Sequence, residues 1–86
     1  MKVNVPAPLR SYTGQVGVIN GEGRTVGEVL EGIEQQCPGF RFRIIDEQDS
    51  IREHIKIFVN EDQAADLKAA VGSGDTIHII CALSGG

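Results

Sequence analysis

Val3 and Val5 alternate with Lys2 and Asn4, the period-two pattern of a half-buried strand, which Pro6 and Pro8 bring to an end. After the turn-like Thr13-Gly14, Val16 and Val18 alternate with Gln15 and Gly17 and lead through Ile19 to Asn20-Gly21, which predicts a second strand and an N-terminal hairpin. Thr25 followed by Glu28 has the form of a capping box, and Val26, Val29, Leu30 and Ile33 fall on one helical stripe that Pro38-Gly39 stops. A helix over about 26–36 follows. Phe40, Phe42 and Ile44 alternate with Arg41 and Arg43, which predicts a short extended piece. Ile55, Ile57 and Val59 alternate with Lys56 and Phe58, a third strand that runs into the turn Asn60-Glu61-Asp62. Leu67 to Val71 reads as a short helix or a brief strand. Beyond the turn cluster Gly72-Ser73-Gly74-Asp75, Ile77, Ile79 and Cys81 alternate with Thr76, His78 and Ile80 in a last strand.

The order is strand, strand, helix, strand, strand, with no internal repeat. A long helix laid across one face of a mixed sheet buries the apolar faces of both, and ββαββ in that form is the β-grasp arrangement of the α+β class. With 86 residues the chain has material for one domain, 1–86, of which 82–86 is a tail. A fold of this size is worth only about 4–13 kcal/mol, which favours a binding or carrier role over a strained catalytic pocket.

Charge narrows the partners. Twelve acidic and eight basic residues give a net charge of −4, with no basic run, so nucleic acid is an unsuitable partner and a basic or electrophilic protein surface a better one. The N-terminus lacks the apolar run of a signal peptide and no stretch reaches the length of a membrane span; a cytoplasmic protein with no membrane partner is expected. Cys37 and Cys81 have neither CxxC spacing nor a His-Cys cluster, so no metal site and no disulfide is expected, and two thiols cannot hold the four-thiolate cluster of a β-grasp ferredoxin. Both read as packed small hydrophobes, Cys81 on the face shared with Ile77 and Ile79. His78 reads as a half-exposed strand residue on the opposite face, and Asp46, Glu47 and Asp49 as a solvated loop, with steering of a basic partner as the functional alternative.

The remaining segment, Ala82-Leu83-Ser84-Gly85-Gly86, carries the candidate chemistry. A carboxylate worked on by another protein needs a thin lead, and two residues without Cβ fit a narrow channel. A free α-carboxyl, with a pKa of about 3.3–3.7, is ionised and a poor electrophile until activated, most simply as a mixed anhydride with AMP. The chain has no phosphate-binding loop, so ATP is used by a partner and no cofactor is expected to be bound. The activated carbonyl accepts sulfur to give a thiocarboxylate, or an amine to give a covalent conjugate; the residues leave both open, beside a plain binding domain with an incidental tail. Leu83, apolar in a tail that no core needs, is a candidate anchor in a partner's pocket, with Ser84 and Ala82 beside it.

The pattern resembles the MoaD/ThiS-type sulfur carriers, ubiquitin-like proteins ending in Gly-Gly, over nearly the whole length. Val71-Gly72-Ser73-Gly74-Asp75-Thr76-Ile77-His78-Ile79 is similar to that family's turn and last strand, Ile57-Phe58-Val59-Asn60-Glu61-Asp62 to its strand ending in Val-Asn, and residues 82–86 to its tail. Val5 to Gln15 and the linker from Gly39 to His54 resemble most the cysteine-biosynthesis (CysO-like) carriers. The chain departs from the pattern in having Cys81 where relatives commonly carry proline. The resemblance implies a carrier and co-substrate rather than an enzyme, with no catalytic residue of its own. Gly86 would be adenylated by a ubiquitin-activating-like adenylyltransferase, with Gly85 as its lead, and loaded from a sulfur donor. It would then dock on a cysteine-synthase-like enzyme, or on the large subunit of molybdopterin synthase. A ubiquitin-like modifier joined through Gly86 is the expectation from another class.

Overall fold

The capping box forms at Thr25, whose Oγ1 accepts the Glu28 N–H at 3.2 Å, and α1 runs Val26–Gln36. Its returning arm lands one residue early: Glu28 Oε1 accepts from the N–H of Arg24 at 3.0 Å rather than from Thr25. Val26, Val29, Leu30 and Ile33 are all buried, each side chain worth about 1.5–3 kcal/mol of transfer from water. In this computed structural model, which describes residues 1–81, α1 lies against a five-stranded sheet of order β2-β1-β5-β3-β4, the strands being β1 (Lys2–Asn4), β2 (Val18–Asn20), β3 (Ile55–Val59), β4 (Asp62–Gln63) and β5 (Thr76–Cys81).

β1 and β2 form the antiparallel hairpin, with Val3 opposite Ile19. β5 enters between β1, to which it is parallel, and β3, to which it is antiparallel. Val3, Ile57, Ile77 and Ile79 point to the helix and are buried. Gly21 ends β2 directly beneath α1: a Cβ there would stand 2.6 Å from Val29 Cγ1 and 3.1 Å from Val3 Cγ2, so a larger residue cannot take this place without a shift. At the same end of the strands, β3 and β5 are tied by Asn60, whose side chain donates to Asp75 Oδ1 at 2.9 Å and accepts the Thr76 N–H at 3.0 Å. That bond, followed by the one Asp75 Oδ2 accepts from the Gly72 N–H, holds the Asp75 carboxyl below its ordinary range.

Three sequence expectations are corrected. Residues 40–44 are not extended: Phe40–Ile44 is a second helix, α2. The alternation of Phe40, Phe42 and Ile44 misleads because Phe40 and Ile44 also stand four apart; both are buried, while Phe42 is 54% exposed. The start signal comes from α1, five residues before Gly39, since the Glu34 carboxylate accepts the N–H of Gly39 and of Arg41, each at 2.8 Å. Those two bonds, Gly39 first, hold the Glu34 carboxyl below the usual glutamate range.

The second strand has the other phase: Ile19 packs against the core, and Val16 and Val18 are each 48% exposed. Ala7–Thr13, after Pro6, forms a 3-10 helix that no strand pattern announces, with Leu9 buried and Gly14 closing it in the left-handed region. Leu67 to Val71 is neither helix nor strand but carries an isolated bridge from Ala70 to Thr25, while β4, short enough to escape any periodicity, pairs with β3. The ββαββ core is therefore embellished by a 3-10 helix, α2 and β4. Among the described residues no helix is long and apolar enough to cross a membrane.

Candidate functional site: the tail root and the open sheet face

Gly85, Gly86, Leu83, Ser84 and Ala82 lie outside the described residues. What the structure places is the root from which they continue. Cys81, the last residue of β5, is paired with Ile55 and packs half-buried against the core, on the side of Ile77 and Ile79. The root therefore ends a central strand, paired with β1 over Thr76 to His78 and with β3 as far as Cys81.

Because strand residues alternate, the face turned away from α1 carries the other set. The register aligns one row across the whole sheet: Val18 of β2, Asn4 of β1, His78 of β5, Phe58 of β3 and Gln63 of β4. His78 is half-buried and not a free surface imidazole, since its Nδ1 lies 2.9 Å from the Asn4 amide nitrogen, which donates to it. One row nearer the tail, Ile80 is 45% exposed and stands opposite Lys56. Exposed Val18 and Ile80 with half-buried Phe58 thus make the open face partly apolar, and Ile80 lies two residues before the tail. A surface of this kind next to the tail root is suited to seating a protein.

This face was hidden in the sequence, where Val16 and Val18 stand as the apolar phase of the second strand. The signal that could have revealed it is the apolar Phe58 and Ile80 on the polar phase of strands that otherwise alternate cleanly.

Of the acidic cluster, Asp46 Oδ1 accepts the N–H of Gln48 and of Ser50, at 2.9 and 3.0 Å, and Asp49 accepts from Arg41 at 3.2 Å. Both carboxylates thus shape their own loop. Cys37 caps α1, half-buried. Among the described residues no group of His, Cys, Asp or Glu has the arrangement of a metal site.

Residues 3–86 match the model of the ThiS family. The sulfur carrier protein CysO of Mycobacterium tuberculosis is 29% identical over 89 residues, covering 98% of this chain and 96% of the relative. Among solved structures, the BexX/CysO complex of Amycolatopsis orientalis contains a chain of 31% identity with a TM-score of 0.91, covering 99% of this chain and 98% of that one. The small archaeal modifier protein SAMP1 of Haloferax volcanii is 27% identical with a TM-score of 0.76, covering 100% of this chain and 98% of its own.

Proposed function

Since the chain belongs to the ThiS family, we propose that it is a sulfur carrier whose Gly86 carboxylate is adenylated and then converted to a thiocarboxylate, with sulfur delivered to the synthesis of cysteine. The observation that carries this reading is that the family match continues to Gly86 at the end of a β-grasp body. The likeness to two CysO proteins over almost the whole chain supports cysteine as the destination.

In the first step a carboxylate oxygen of Gly86 attacks the α-phosphorus of ATP and pyrophosphate leaves. A sulfur nucleophile then adds to the acyl carbon and AMP leaves, so that one terminal oxygen is replaced by sulfur. Both steps use machinery of a partner, a ubiquitin-activating-like adenylyltransferase, and the chain acts as co-substrate. Its own contribution is positional: β5 fixes the root, and the open face around Ile80, His78 and Phe58 seats the partner.

The likeness to SAMP1, described as a modifier, supports a second reading, conjugation through Gly86 to amines of other proteins. One experiment separates them. The chain is incubated with ATP, a sulfide source and extract of its own host, and its intact mass and C-terminal fragment are recorded. Exchange of one terminal oxygen for sulfur is the expected result; amide-linked conjugates with an unchanged free carboxylate would transfer the assignment to the modifier.

A further inference from the structure

On the helical side of the tail root, two arginines are held rigidly with their charge unspent. The Arg43 Nε donates to the Tyr12 hydroxyl, and its Cζ lies 5.6 Å from the centre of the Tyr12 ring. The Arg52 Nε donates to the Phe42 carbonyl at 2.7 Å, and its Cζ stands 4.6 Å over the Phe42 ring. In each case the bond uses Nε and leaves the terminal amino groups, the part of the fork that grips a carboxylate. Gly39 makes room for the first pair: a Cβ on it would reach within 3.2 Å of the Tyr12 ring, and its φ is +93°.

In a chain with twelve acidic residues, arginines this ordered would be expected to have carboxylate neighbours. Yet among the described residues the ion pairs are those of Arg41 with Glu31 and Asp49. Arg43 and Arg52 have none, although stacking and the Nε bonds have already removed much of the side-chain entropy that an ion pair ordinarily costs.

The two are linked to each other and to the tail root, Cys81, through the backbone. Phe42 precedes Arg43 on α2, and the Arg52 N–H donates to Ile44 O at 2.9 Å. Arg52 O in turn accepts the N–H of Ile55, the residue paired with Cys81. A protein engaged beside Cys81 is thus connected to this patch through Ile55 and Arg52.

We propose that Arg43 and Arg52 form a preorganised carboxylate-binding patch that receives acidic side chains of the adenylyltransferase acting on Gly86. The proposal rests on the carrier reading, and the adenylyltransferase is the partner that both fates of the activated tail require. The net charge of −4, which overall suits a basic partner surface, repels an extended array of phosphates, whereas the two guanidinium forks match a local pair of carboxylates on an otherwise compatible protein surface.

The test is carrier-dependent pyrophosphate release by the purified adenylyltransferase of the host, with the full chain as the varied substrate, at low and moderate salt. Arg43→Gln and Arg52→Gln should each raise KM about 3- to 10-fold, keep kcat within about 2-fold and flatten the salt dependence, corresponding to the loss of a charged contact outside the reacting centre. Lys68→Gln, beside the start of α1, should change neither constant. The double variant to Lys, which keeps the charge, should recover part of the loss and guards against a folding defect in the Gln variants. Unaltered KM in both Gln variants, with the wild type active, overturns the patch and leaves the carrier reading standing; no pyrophosphate release with the wild type overturns both.

Discussion

At the scale of single residues, Glu34 is the joint between two helices. Its carboxylate caps the start of α2 through the N–H groups of Gly39 and Arg41, and these bonds hold its pKa below the ordinary value. A carboxyl whose folded pKa is depressed stabilises the fold above its unfolded pKa, about 4.3 for glutamate, and that contribution fades as the pH falls through the folded value. Glu34→Gln should therefore lower the urea midpoint at about pH 6, with the gap to wild type narrowing by about pH 3. An equal gap at both values would show that the side chain acts through packing alone. Asp75, just before β5, follows the same sign and is unaffected by this substitution, so the difference between the two chains isolates Glu34.

At the scale of elements, α2 separates two periodicities that share residues. A strand through Phe40, Phe42 and Ile44 would bury all three; the helix buries the outer two and exposes the middle one. Phe40→Ala should accordingly cost about 3–5 kcal/mol, and Phe42→Ala within about 1 kcal/mol, chiefly the loss of the Arg52 stacking. Equal, large losses in denaturant titrations of the two would contradict the helix. The sequence was most legible where a long pattern met a punctuating residue: Thr25 and Pro38-Gly39 bracket α1, and the alternations at Ile55–Val59 and Ile77–Cys81 mark β3 and β5. It was least legible where a distant group decides. α2 depends on the carboxylate of Glu34, β4 on pairing with β3, and the phase of β2 on which neighbour of Val18 finds the core. The candidate site divided in the same way, since Gly85-Gly86 stood out in the sequence as chemistry while the row from Val18 to Gln63 exists only once the register is known.

At the scale of the whole molecule, two surfaces border one root: the open face with Ile80, and the α2 side with Arg43 and Arg52. Ile80→Asp tests the first. It places a charge on an exposed strand position, should cost the fold under about 1 kcal/mol, and should raise the carrier concentration needed for half-maximal thiocarboxylate formation several-fold. Wild-type loading of that variant would remove the open face from the seating of the partner. The topology has a mechanical side as well. β1 and β5 run parallel, so the N-terminus leaves the sheet at one end and the tail at the other. A pull on Gly86 against the N-terminus loads the β1–β5 hydrogen bonds in shear, all at once, instead of opening them one after another like a zip. A protein handled by its last residues is thus anchored through the strand pair that yields least readily to traction along that line.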